Sequence, residues 1–129
     1  MTRRRFLGSL GGVGLALLAG CASDDTPESR FRGALASAGI GIRALSAARG
    51  DWELEYFTTA TTAETLRAEA RTIALAYADH HPDGEHTLGA VAIADAENAL
   101  TAEWRAETAW TTAGDSAYFD RVRETTDAF

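Results

Sequence analysis

Trp52-Glu53-Leu54-Glu55-Tyr56, then a threonine-rich corner from Thr58 to Thr62, then Ala63, Leu66, Ala70, Ile73 and Tyr77 at helical spacing, is the stretch from which the fold is read. In its first part apolar and acidic residues alternate, the pattern of a strand with one face on a core and the other in water. In its last part the apolar residues form one stripe while Glu64, Arg67, Glu69 and Arg71 mostly lie off it, so an amphipathic helix runs to about His80. Thr61 followed by Glu64 has capping-box spacing and marks the helix start.

Towards the N-terminus, Arg49-Gly50-Asp51 sits between two strand patterns. It reads as a hairpin turn using glycine for a positive φ rather than as an adhesion tripeptide. Before it, Ile40, Ile42 and Ala44 alternate as a strand, and Leu45 and Ala47 fall out of phase, which predicts a bulge or an early strand end. Further back, Phe31, Ala34, Leu35 and Ala38 give a short helix over Arg30 to Ala38, with Gly39 placed to end it in a left-handed conformation.

Towards the C-terminus, Leu88 to Ala94 carries no charge and is apolar on both faces, as suits a central strand. Asp95-Ala96-Glu97-Asn98 is a polar turn, after which Leu100, Ala102, Trp104 and Ala106 alternate with Thr101, Glu103, Arg105 and Glu107, continuing towards Trp110. Asp115 or Ser116 then caps a final helix whose core stripe is Tyr118, Val122 and Phe129. The order α-β-β-α-β-β-α predicts a two-layer α+β fold: a four-stranded, mostly antiparallel sheet of two hairpins with the helices on one face, the strand order left open. An open outer face would carry Glu53, Glu55, Glu103, Arg105 and Glu107.

The ends of the chain say where such a domain works. Arg3, Arg4 and Arg5 precede Phe6 and Leu7, and Ser9 to Gly20 carries no charge, so residues 1–20 read as a signal peptide. Its apolar run of ~12 residues falls short of the ~20 needed to span a bilayer. Arg3 and Arg4 before Phe6-Leu7 resemble a twin-arginine export signal. Leu18-Ala19-Gly20-Cys21 resembles a lipobox, which makes Cys21 the lipidated mature N-terminus and the outer face of the cell membrane the expected location. The partners this implies are the membrane, through the lipid on Cys21, and the export and processing machinery. Residues 21–29 read as the lipidated cysteine and a flexible tether, and 30–129 as one small domain.

Cys21 is the single cysteine, so no internal disulfide forms. All basic residues are arginine, and after the signal nine of them face nineteen acidic residues, a formal charge of −10. Nucleic acid is excluded as a partner on that balance. Carboxylate repulsion of this kind is relieved in molar salt, where the screening length falls to ~3 Å.

Two stretches invite a chemical reading. His80, His81 and His86, with Asp79, Asp83 and Glu85, are the one composition that would coordinate a metal; equally, histidine suits a helix C-terminus, and Pro82-Asp83-Gly84 is turn chemistry. Gly114-Asp115-Ser116 echoes an esterase nucleophile block, but only thirteen residues follow Ser116 and none is histidine. No cofactor motif and no catalytic set is present.

Phe31-Arg32-Gly33-Ala34-Leu35 followed by Ala38-Gly39-Ile40, Leu54-Glu55-Tyr56 leading into Thr59 to Thr62, Ile73 to Ala78, and Trp104 with Trp110 before a C-terminal helix together resemble haloarchaeal, twin-arginine-exported lipoprotein domains of unknown function. The element order is also similar to that of secretion-chaperone-like domains, which implies peptide binding by fold analogy alone. The functional expectation is a non-enzymatic, lipid-anchored module that binds an envelope protein or a small ligand. The alternative is a metal scavenger or small metal-dependent enzyme using the His80–His86 loop.

Overall fold

A computed structural model describes residues 26–129. Arg3, Arg4, Phe6, Leu7 and the Leu18 to Cys21 segment lie outside the described residues. The elements are α1 (Pro27–Ser37), β1 (Ile42–Ala48), β2 (Asp51–Thr58), α2 (Ala63–His80), β3 (Thr87–Ala94), β4 (Ala102–Glu107), a 3-10 turn (Thr108–Ala113) and α3 (Asp115–Arg123). This is the α+β order read from the sequence.

The strands lie in the order β1-β2-β3-β4. The outer pairs are antiparallel and the central pair, β2 with β3, is parallel because α2 carries the chain back across the sheet between them. Ala48 pairs with Asp51, so Arg49 and Gly50 form a two-residue hairpin turn, with φ of 57° and 87° at the two positions. Positive φ at both central residues matches the right-handed twist of the flanking strands. The bulge on β1 falls between Ile42 and Ala44, which returns Leu45 to the core side.

Several boundaries differ from the sequence expectation. The first helix opens at Pro27 rather than Arg30, so residues 27–29, read as tether, are helical: the Thr26 hydroxyl accepts from the Ser29 amide at 3.0 Å, and proline in the first turn gives up no intrahelical bond. Thr62, not Thr61, caps α2 by accepting from the Thr65 amide at 3.1 Å. The last strand stops at Glu107, short of Trp110, because the Thr108 hydroxyl turns inward to Gly84 and His86. Gly114, with φ of 90°, precedes α3, and neither Asp115 nor Ser116 caps it. Phe129 lies beyond α3 but still packs, its ring 6.2 Å from that of Phe119.

The three α-helices of the described residues cover one face. Its centre is an aromatic triad joining α1, β2 and α2: Phe31 lies 5.1 Å from Trp52, Trp52 is 5.6 Å from Tyr77, and Tyr77 is 6.3 Å from Phe31. Tilted and edge-on contacts of this kind add ~0.5–1.5 kcal/mol per pair beyond burial. Across the sheet, small residues at Ala90 and Ala92 on β3 leave room for Trp104 of β4 to donate its indole N–H to the Tyr56 hydroxyl at 3.1 Å. Tyr118 fastens α3 to α2 through a 2.7 Å bond to the Ala74 carbonyl. At the threonine corner, buried Thr58 accepts from the Ala60 amide and donates to Glu69, turning the chain from β2 into α2.

Candidate functional site

Among the described residues no helix lies over the second face of the sheet. Period two forces this segregation: Trp52, Leu54 and Tyr56 are buried on one side, which puts Glu53, Glu55 and Phe57 on the other. β4 repeats the pattern, with Ala102, Trp104 and Ala106 buried and Glu103, Arg105 and Glu107 outward. β3 is not buried on both faces as its composition suggested: Leu88, Ala90 and Ala92 are buried, whereas Gly89, Val91 and Ile93 are only half-covered. The outer face is therefore polar at both flanks with a shallower apolar strip along its middle strand.

Register aligns its side chains in rows. One row runs Ser46, Glu53, Gly89, Arg105 and the next Ala44, Glu55, Val91, Glu103. Glu55 pairs with Arg43, and Arg105 with Glu107 at 3.6 Å. Glu53 and Glu103 have no ion-pair partner among the described residues. The glycine at 89 is what shapes the surface: a β-carbon there would stand 2.8 Å from Glu53 Oε1, so the carboxylate lies across the bare strand. A shallow groove of about 210 Å³ results, bounded by Glu53, Val91, Glu103, Arg105 and Thr125. Phe57, 38% exposed, is the one large apolar side chain in the open among the described residues and sits at the far end of the same face.

The sheet edges, in contrast, are each blocked at one point. Arg32 of α1 donates to the Leu45 carbonyl on β1 at 3.1 Å, and the Thr125 hydroxyl accepts from the Arg105 amide on β4 at 2.9 Å. Such plugs disfavour strand addition. They leave the face, rather than an edge, as the accessible surface.

The histidine-rich loop is drawn into the fold. His86 Nε2 lies 2.8 Å from the Asp83 carbonyl oxygen and its Nδ1 lies 3.6 Å from Asp51 Oδ1, while its ring lies against Gly50, where a β-carbon would meet it at 2.2 Å. His81 packs in a tilted contact 5.7 Å from the Tyr77 ring and contacts the Pro82 carbonyl through Nδ1. His80 is the last residue of α2. Buried Thr108 then binds the loop from below, accepting from the His86 amide and donating to Gly84. Asp51, Glu85, His86 and Glu107 line a cleft of about 340 Å³ beside this loop. Among the described residues no group of three or more His, Cys, Asp or Glu side chains is placed to hold a metal ion.

The remaining motif readings resolve locally. Asp51 accepts from the Thr87 amide at 3.0 Å, which ties the hairpin to β3 and commits the tripeptide at 49–51 to structure. Ser116 is exposed and makes no side-chain hydrogen bond among the described residues, so it stands in no nucleophile and base pair. The perturbed titratable groups are core tyrosines. Burial pushes Tyr56 up to about 12 against the opposing Trp104 hydrogen bond, with Glu69 adding to the rise. Burial also raises Tyr77, helped by Asp51 and Glu107, and raises Tyr118. These are neutral packing groups, not poised acids or bases.

No helix among the described residues is long and apolar enough to cross a membrane. No curated protein and no solved structure matches the chain. The family described as a domain of unknown function (DUF8159) matches residues 22–127, which takes in the whole sheet and every helix that covers it. The chain belongs to the DUF8159 family.

Proposed function

We propose that this protein is an exported, lipid-anchored binding module whose uncovered sheet face docks a partner protein at the outer surface of the cell membrane. The observation that carries the reading is the open face itself: among the described residues one layer of helices buries one side of the sheet, and the other side is left uncovered with Glu53 and Glu103 unpaired about a shallow groove. Charge decides the partner's chemistry. Two unpaired carboxylates beside Arg-neutralised ones favour a surface presenting arginine or lysine, and Phe57 adds an apolar contact at the rim. The blocked edges support a face-on mode over strand addition.

The anchor reading rests on the sequence. Arg3 and Arg4 before Phe6-Leu7 fit twin-arginine export, and Leu18-Ala19-Gly20-Cys21 fits lipoprotein processing. Two chains on Cys21 would hold the protein at the membrane where one would be marginal. The acidic, lysine-free composition suits a saline, haloarchaeal setting.

The test is capture from native membranes at native salt. Wild-type protein retains a discrete partner that Glu53→Arg with Glu103→Arg loses, while Glu97→Arg, in the β3–β4 loop, keeps it. Equal capture by the paired variant would defeat the face-docking reading. For the anchor, Cys21→Ala releases the protein to the medium; continued membrane attachment of that variant contradicts it.

A further inference from the structure

On the helical side of the molecule, away from the sheet face, α2 and α3 lie side by side and leave a groove of about 340 Å³ between them. Both helices line it: Arg67 and Arg71 come from α2, and Ser116, Phe119 and Arg123 from α3. Three of the nine arginines outside the signal therefore share one groove in a domain with a large acidic excess. Glu64 and Asp120 also line it, so arginine holds only a narrow majority over carboxylate there.

The arginines are unevenly committed. Arg71 lies over the Phe119 ring, its guanidinium carbon 5.8 Å from the centroid, a contact that leaves its charge unneutralised. Arg123 meets Asp120 only at 3.9 Å, its side chain about half in solvent and that of Asp120 more so. Arg67 is half-buried and its side chain has neither ion pair nor hydrogen bond among the described residues, although Glu64 lies one turn away. Like charges four apart on a helix, as Arg67 and Arg71 are, oppose helix formation. An anion seated between them would remove that repulsion and satisfy the idle guanidinium.

We infer that the α2–α3 groove is a binding site for a small oxyanion ligand, a molecule carrying a carboxylate or phosphate group, held by Arg67 and Arg71 with Arg123 closing the far wall. Planar guanidinium forks match both oxyanions bidentately. The unused Ser116 hydroxyl adds a donor on the α3 side. The site is separate from the sheet face and does not depend on that face binding a partner.

Calorimetry on the full chain in detergent, at fixed chloride concentration, with inorganic phosphate in one arm and citrate in the other, tests the assignment. Saturable binding of one anion per chain is expected in at least one arm, and the arm that saturates tells whether the ligand is a phosphate or a carboxylate compound. Arg67→Gln and Arg71→Gln should each weaken it at least tenfold, with far-ultraviolet circular dichroism showing the fold retained, and Arg49→Gln on the hairpin turn should leave it unchanged. No saturation in either arm, or equal affinity in Arg67→Gln and Arg49→Gln, would overturn the site.

Discussion

Tyr77 and Tyr118 are both buried tyrosines in the helical layer, yet removing their hydroxyls should have opposite effects. The Tyr118 hydroxyl donates to the Ala74 carbonyl at 2.7 Å, a bond that fastens α3 onto α2. A bond of this kind contributes ~0.5–1.5 kcal/mol net, so Tyr118→Phe should lower stability by about 1 kcal/mol. The Tyr77 hydroxyl is fully buried and has no hydrogen-bond partner among the described residues. Burial of an unsatisfied hydroxyl costs ~1–3 kcal/mol, so Tyr77→Phe, which keeps the ring contacts to Phe31 and Trp52, should raise stability by about 1 kcal/mol. The two variants should differ by ~2 kcal/mol, or roughly 8–16 °C in Tm for a domain of this size. Urea and thermal denaturation at one fixed salt concentration read the difference directly. If Tyr77→Phe destabilises as much as Tyr118→Phe, the hydroxyl has a partner, and the packing account of the triad is wrong.

Three further outcomes follow from the same structure. Gly50→Ala places a β-carbon 2.2 Å from the His86 ring at a φ of 87°, and should cost at least ~2 kcal/mol, part of it recovered in the Gly50→Ala, His86→Ala double variant; strict additivity would show that the ring does not occupy that space. All three tyrosines are buried, and the fold holds each in its neutral form, so their stabilisation is complete below the unfolded value of 10.0 and is lost as pH climbs from there through about 12 for Tyr56 and beyond for the other two. Tyrosinate absorbance should therefore appear together with unfolding, and a tyrosinate signal from still-folded protein at pH 10 would contradict the burial. Nineteen carboxylates against nine arginines after the signal predict a denaturation midpoint that rises with salt as repulsion is screened; a midpoint independent of salt would show that the charges are already balanced locally.

Much of this architecture was legible because period and punctuation agreed. The alternation at Trp52 to Tyr56, the stripe from Leu66 to Tyr77 and the glycines at 39 and 50 fixed element type and turns locally. What the sequence withheld was long-range. Strand order depends on where α2 delivers β3, and no local residue records that β3 pairs parallel with β2. β3 looked doubly buried because an uncharged strand at the centre of an open sheet is shielded on its outer side by its neighbours' long side chains rather than by a second layer. The acidic outer face was readable from alternation alone, whereas the groove on it was not: Gly89 matters only because Glu53 lies beside it on another strand.

The histidine loop shows what composition leaves out. Three histidines and three acids within eight residues read as metal ligands or as a helix end and turn; in the structure His86 packs on the Gly50 turn and His81 on Tyr77, and Thr108, a residue with no local signal, holds the loop. The arginine groove was hidden for a related reason. Arg67 and Arg71 read as the solvated side of α2, and their convergence with Arg123 exists only once Tyr118 has docked α3.

The claim that the open sheet face is the recognition surface is tested most directly by site-specific photocrosslinking in native membranes at native salt. A photoreactive residue at Ser46, Glu53 or Glu103 should form an adduct of one discrete size, and the same probe at Thr72, exposed on α2, should form none. Adducts from position 72 with none from the three sheet positions would place the partner on the helical side and contradict the account.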